Sequence, residues 1–276
     1  MPPPPISEPA PAKVNLTLHV TGRRTDGYHL LDSVVMFADI GDRLTVAPGA
    51  LRLDLRGPRA GAVPAGPDNL VMRAAALIGA EAAITLEKHL PVAAGIGGGS
   101  SNAAACLRAL SRMTGAGLPV DVVSLGADVP VCLLARAARM RGIGEDVTPL
   151  PGIPTLDGVL VNPGVSISTP AIFKRLEHRD NPAMPTELPR FETAEHLTRW
   201  LATGRNDLEV PATAQAPVIA DVLRQIAATP DCRLARMSGS GATCFGLYPD
   251  PQSAHEAAET LTRAHPDWWI APCRLS

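Results

Sequence analysis

Residues 88–110 read KHLPVAAGIGGGSSNAAACLRAL, with Gly95, Gly97, Gly98 and Gly99 followed by Ser100 and Ser101. Residues without a Cβ let the backbone take positive φ and approach a ligand closely, so several N–H groups can converge on one anion. A helix that starts just after them adds the positive end of its dipole. Phosphate is the natural guest and a serine-capped surface turn is the alternative. Three consecutive glycines cost backbone entropy without adding packing, which favours phosphate. The P-loop is excluded, because no Lys-Ser or Lys-Thr pair follows the last glycine and the nearest lysine, Lys88, lies upstream. The dinucleotide fingerprint is excluded too, since its acid would have to be Asp121, beyond a helix and a Gly/Pro-rich turn.

Other side chains could serve the same chemistry. KVNLTLHV, residues 13–20, alternates strictly and reads as a half-buried strand with Val14, Leu16, Leu18 and Val20 inward. Lys13 and Asn15 leave its other face with Thr17 and His19, so both can reach one site; an ordinary solvated face is the competing reading. Tyr28 and His29 open the next strand, where packing and a satisfied hydrogen bond are their plain roles. Asp128 stands in GADVPVCLLA, placed to cap a turn with Pro130 near its start.

The elements that must position these residues follow from pattern. The turn GRRTDG joins the first strand to a second at 28–36, predicting a hairpin, and 43–46 reads as a third strand. A Gly-, Pro- and Arg-rich loop fills 48–66, after which Asp68 is placed to cap a helix with Leu70, Ala74, Leu77 and Ile78 on its buried face. A short strand at 83–87 feeds the glycine loop. In the helix that follows, Ala103, Leu107 and Leu110 recur at helical spacing, Ser100 or Ser101 can cap the first turn, and Gly115 supplies a stop. A short turn at 120–125 precedes Asp128, and a loop around Gly142 and Gly144 leads to Pro149, Pro151 and Pro154, the candidate domain boundary.

Beyond that boundary DGVLVNPG reads as a buried strand, and a helix is entered at Thr169 and Pro170. A proline-rich loop at 178–190 is expected to be mobile. Helices are predicted at 194–202 and 218–228. A second glycine loop, with Gly239 and Gly241, runs into a strand at 243–248, and a helix at 253–264 and a strand at 268–272 close the chain. The order predicts α+β layers, with a small antiparallel sandwich at the C-terminal end.

A chain of 276 residues has room for one large domain or two ordinary ones. A net charge of -2, scattered arginines and 3% aromatic residues argue against nucleic acid or an anionic membrane as a partner. MPPPPISEPAPA lacks the basic and apolar regions of a signal peptide and reads as a short extended arm, and no segment is apolar over a transmembrane length. Cys106, Cys132, Cys232, Cys244 and Cys273 are odd in number and lack metal spacing, so they read as buried thiols in a reducing cytoplasm.

PAKVN at 11–15, PVAAGIGGGSSNAA at 91–104 and SGSGAT at 238–243 together resemble the three motifs of the GHMP kinases, named for galactose, homoserine, mevalonate and phosphomevalonate. TGRRTDGYHLLDSVV, GADVPV, RGIGE, NPGVSISTPAIF and RNDLE sharpen the resemblance to the branch that phosphorylates one hydroxyl of a cytidine-diphosphate-linked polyol in the non-mevalonate isoprenoid route. The resemblance implies a two-domain α+β architecture. A ribosomal-protein-S5-like ATP-binding domain would occupy 1–153 and a ferredoxin-like α/β sandwich that binds the substrate 154–276, with the active site between them. It implies ATP with Mg2+, a small-molecule substrate and a cytoplasmic enzyme.

By the same resemblance Lys13 and Asp128 would be the catalytic pair, the aspartate either receiving the proton of the substrate hydroxyl or only orienting that hydroxyl, and the lysine stabilising the moving phosphoryl group. ATP would lie on Pro91, Val92, Ala93, Ala94, Gly95, Ile96, Gly97, Gly98, Gly99, Ser100 and Ser101, with Asn69 and Lys88 toward the adenosine. Tyr28 and Phe173 would sandwich the cytosine, His29 would read its polar edge, and Asn15 and Thr169 would hold other parts of the substrate. Ala93 and Ala94 stand where the family pattern has a further glycine, and Ile96 where leucine is usual, which bears on loop shape. A sister kinase for homoserine or a mevalonate derivative would have no base for these aromatics to stack on. A decarboxylase of the superfamily would need a partner for the lost carboxylate that this chain does not offer, and a non-catalytic regulator should have lost Lys13 or Asp128.

Overall fold

The computed structural model describes residues 4–276. Strand β1 (Ile6–Asn15) is followed by β2 (His19–Arg23) and the long β3 (His29–Pro48). The chain forms two compact units that share it in alternation: the first takes residues up to Lys13, Ile40–Val92 and Gly97–Ala135, the second Val14–Asp39, Ala93–Ile96 and Arg136–Ser276. The Pro-rich arm is a strand from Ile6 onward, and its first three residues lie outside the described ones.

In the first unit β4 (Arg52–Arg56) lies parallel to β5 (Ala82–Glu87), which pairs antiparallel with Arg43 to Pro48 of β3. The expected loop at 48–66 therefore contains a strand. Its alternation, RLDLR, puts Leu53 and Leu55 against the core and charges at the sheet edge, a short and guarded edge strand. Helix α1 (Leu70–Ile78) is capped by Asn69, whose side chain accepts the Val71 N–H at 2.9 Å, rather than by Asp68. Helix α2 (Gly98–Thr114) packs on it through Ala103, Cys106, Leu107 and Leu110, and α3 (Val129–Leu134) follows. Leu44, Val46, Ile84 and Leu86 supply the sheet side of this core.

In the second unit β2 and β3 form the expected hairpin, with His19 opposite Asp32 and Arg23 opposite His29. The strand expected at 13–20 is broken between β1 and β2, because Leu18 donates its N–H to Arg205 O and accepts from Asp207 N–H instead. It is buried on both faces: Lys13, Asn15, Thr17 and His19 are as covered as the apolar set. Strands β6 (Ala138–Gly142) and β7 (Asp146–Pro149) form a second hairpin where only a loop was expected, β6 pairing with β3.

Strand β8 (Leu156–Asn162) then begins a four-stranded antiparallel sheet with β9 (Leu234–Met237), β10 (Cys244–Tyr248) and β11 (Trp269–Leu275), in the spatial order β11-β8-β10-β9. Helices α4 (Thr169–Lys174), α5 (Ala194–Ala202), α6 (Glu209–Gln215) and α7 (Val218–Ala227) lie between β8 and β9, and α8 (Pro251–Ala264) lies between β10 and β11. That order is the ferredoxin-like split βαβ arrangement expected for this half. Val159, Val161, Val222, Ile226, Cys244 and Leu261 form its core.

The 178–190 segment has no regular element, yet it is held in place. Asp32 and Arg139 pair through two 2.7 Å contacts. Arg139 Nη1 also donates to Pro185 O at 2.8 Å and Thr186 O at 2.9 Å, while Asp32 accepts the Met184 N–H at 2.9 Å. All five cysteines are free, and burial pushes the Cys106 and Cys132 thiols up to about 12. No helix among the described residues is long and apolar enough to cross a membrane.

Candidate active site

Each unit carries a cluster of the expected site residues. In the first, β1 delivers Lys13, whose Nζ lies 2.8 Å from Asp128 Oδ1; the lysine side chain is 4% exposed and the aspartate 33%. Asp128 is the residue before α3, but its side chain makes no cap hydrogen bond. Pro130, inside that first turn, has no N–H for a cap to serve, and the carboxylate turns to Lys13 instead. Gly97 closes the cluster: its φ is +63°, and a Cβ there would stand 3.1 Å from Lys13 Cβ, so a side chain would be strained and crowded against the lysine.

Gly97 is also the residue before α2, with no side-chain cap. The Ser101 N–H bonds to Gly97 O, which places Ser100 and Ser101 inside the first turn rather than at its cap. The N–H groups of Gly98, Gly99 and Ser100 therefore have no acceptor within the helix, and the 17-residue α2 points its positive end at them. The Ser101 hydroxyl beside them is buried and unpartnered.

Lys88 forms a second pair, with Asp42 of β3. The other Asp42 oxygen accepts the N–H groups of His89 at 2.7 Å and Leu90 at 2.8 Å. Burial lowers the pKa of Lys88 and the Asp42 charge opposes that shift. Its ammonium faces the start of α2, 3.4 Å from where a Cβ on Gly98 would sit. Asn69 is engaged as the α1 cap and donates to Pro64 O at 2.7 Å. At the loop entry Pro91 is buried and Val92 exposed.

In the second unit Asn15 donates its N–H to Ser238 Oγ at 3.0 Å and its amide to Ser33 Oγ at 2.8 Å, leaving Oδ1 buried and unpartnered. Thr169 and Ser240 share a 2.7 Å hydroxyl contact. His29 and Phe173 stack with centroids 4.8 Å apart and planes at 20°, and Tyr28 stands out to solvent, 59% exposed. Burial, aided by the charges of Arg23 and Arg179, holds His29 below the usual imidazole range, and its Nε2 is buried without a partner.

The two glycine loops interlock inside this unit. Ser238 Oγ donates to Gly95 O at 3.1 Å and Thr243 N–H to Ala94 O at 3.1 Å. A Cβ on Gly95 would stand 2.6 Å from Ser238 O and from Gly241 O, and one on Gly239 would stand 2.6 Å from Gly95 O. Ala93 takes φ +52°, the left-handed conformation in which a glycine would be unstrained. Sequence reasoning missed Asp42, Ser33 and the locking role of Ser238. Only the last had a signal, its place in the second glycine motif.

Residues 69–136 match the GHMP kinases N-terminal domain and residues 187–267 the GHMP kinases C-terminal domain. The chain is 63% identical over 273 residues to the 4-diphosphocytidyl-2-C-methyl-D-erythritol kinase of Dinoroseobacter shibae, covering 98% of this chain and 95% of that protein. It is 58% identical over 271 residues to the kinase of that name from Cereibacter sphaeroides, covering 96% and 98%. Among solved structures it is similar to the crystal structure of a 4-(cytidine 5'-diphospho)-2C-methyl-D-erythritol kinase, with a TM-score of 0.77 and 36% identity over 98% of this chain and 99% of that one. Homoserine kinase from Cytophaga hutchinsonii shares the fold, with a TM-score of 0.63 at 16% identity over 99% and 94%.

Proposed function

The chain belongs to the 4-diphosphocytidyl-2-C-methyl-D-erythritol kinase family of GHMP kinases, and from that membership we propose its reaction: transfer of the γ-phosphoryl group of ATP to the 2-hydroxyl of 4-diphosphocytidyl-2-C-methyl-D-erythritol. The step belongs to the non-mevalonate route to isoprenoid precursors, in the cytoplasm. The observation that carries the reading is the Lys13–Asp128 pair, set against Gly97 at the uncapped start of α2.

Phosphoryl transfer asks a protein for positioning and charge rather than covalent chemistry. The free N–H groups of Gly98, Gly99 and Ser100 suit phosphate oxygens. Lys13 supplies a fixed positive charge for the moving group, and Asp128, open on one side, holds the substrate hydroxyl and receives its proton. A Mg2+ ion bound with the nucleotide would neutralise phosphate charge. Among the described residues no group of three or more His, Cys, Asp or Glu side chains is arranged to hold a metal ion.

Residues 91–101 with Asn69 and Lys88 serve ATP. Asn15, Tyr28, His29, Thr169 and Phe173, all in the second unit, serve the cytidyl polyol. A neutral His29 can donate from one ring nitrogen and accept at the other, which matches a cytosine edge, and the rings of Phe173 and Tyr28 offer it stacking faces.

The test is ATP turnover by the purified protein with 4-diphosphocytidyl-2-C-methyl-D-erythritol, homoserine and mevalonate in parallel. Turnover with the cytidyl substrate alone is expected, and turnover with only one of the others, or with none, would overturn the reading.

A further inference from the structure

We infer that Asn206 is a positioning residue for the ATP phosphate loop, acting through the second glycine loop; the inference rests on the kinase reading above. Asn206 belongs to RNDLE, a motif block of the second half to which no substrate contact has been assigned. It is buried, 7% exposed. Its amide donates to Met237 O at 2.8 Å and to Gly239 O at 2.9 Å, and its Oδ1 accepts the Leu208 N–H at 2.9 Å. Both amide hydrogens and the oxygen are thus used on backbone groups.

The two carbonyls it holds flank Ser238, and both Ser238 and Gly239 bear directly on Gly95. Ser238 Oγ donates to Gly95 O at 3.1 Å while accepting the Asn15 N–H at 3.0 Å. Gly239 lies so close to Gly95 O that a Cβ would not fit. Gly95 is two residues before Gly97, whose backbone opens α2, so a shift of the second loop is passed along the chain to the phosphate site. The same block braces its surroundings: Asp207 accepts the Val20 N–H at 2.7 Å and Glu209 the Met237 N–H at 2.9 Å.

The chemistry demands a carboxamide. Aspartate has the same shape, but it has no N–H to give and sets a negative charge against two carbonyl oxygens. Asn206→Asp should therefore deform the second loop while filling the same space. With ATP and the cytidyl polyol as varied substrates, KM for ATP is expected to rise about tenfold or more, and KM for the polyol by less, at a temperature below both melting points. An unchanged KM for ATP overturns the inference. So does a lower Tm with both KM values at wild-type level, the result a merely structural role would give. If Asn206→Asp does not fold, Ser238→Ala cuts the next link, and it must raise KM for ATP several-fold or the inference fails. Wild-type protein that phosphorylates no cytidyl polyol would sink the kinase reading and this inference with it, a result distinct from an active wild type whose variants match it.

Discussion

Two lysine–aspartate pairs lie in the same unit, and they differ in what surrounds the carboxylate. Asp42 is fully buried, and its oxygens are taken by the Lys88 ammonium and by two backbone N–H groups. Asp128 faces an equally buried lysine, but a third of its side chain is exposed and the turn it begins takes no hydrogen bond from it. A buried carboxylate with both oxygens engaged holds backbone in place. One with a free side can hold a substrate hydroxyl, so the availability of the partner, rather than the pairing itself, separates chemistry from architecture.

The strongest way to break this comparison is Asp128→Asn. It keeps shape and removes the proton acceptor, so kcat should fall by about three orders of magnitude while the thermal midpoint moves little. Retained turnover in that variant would remove Asp128 from the chemistry. Asp42→Asn is the mirror experiment. It leaves Lys88 buried without its counter-charge and should cost about 3–5 kcal/mol in a denaturant titration, with kcat at saturating ATP falling far less than in Asp128→Asn wherever the protein remains folded, and any loss showing in KM for ATP. If Asp42→Asn instead abolished turnover without loss of stability, the two pairs would have exchanged roles.

A smaller effect sharpens the same rule at a group with no charged partner. His29 has its pKa lowered by burial, so the neutral imidazole persists below the pH at which a free one charges, near 6.5. The unfolded chain takes up the proton first, so His29 erodes folding stability as pH falls below about 6.5. The neutral ring is the form suited to a cytosine edge. KM for the cytidyl substrate should hold steady from about pH 8 through 6.5 and rise a few-fold only at lower pH, once His29 protonates, a rise that His29→Gln removes. A flat KM profile in the wild type would take His29 out of base recognition.

Much of this was legible in the sequence where period and punctuation agree. The β2–β3 hairpin, β5, β8, α5, α7, β10 and α8 stand where alternation, helical spacing and turn residues put them. Helix α6 was not anticipated, and four strands were missed. β4, β6, β7 and β9 are four or five residues long, too short for a period to register, and are fixed by their neighbours in the sheet. The polar face of residues 13–19 could have been read as solvated because a strand cannot show what will cover it; the cover includes residue 33 of the next long strand and residues 128 and 238, far along the chain. Lys13 and Asp128 were found through motifs, whereas Asp42 was invisible, since a single acid in a long strand announces nothing until its lysine is seen.

The interlocked glycines set a limit on how this protein can change. Gly95 and Gly239 each occupy space that a side chain on the other's loop would need, so neither motif can drift toward bulkier residues while its counterpart stays as it is. A lineage that remodels one must find a simultaneous answer in the other, 144 positions away. Two stretches that look independent on the page are thus inherited as a single character, and grafting either of them alone into a foreign scaffold would transplant half of a fitting.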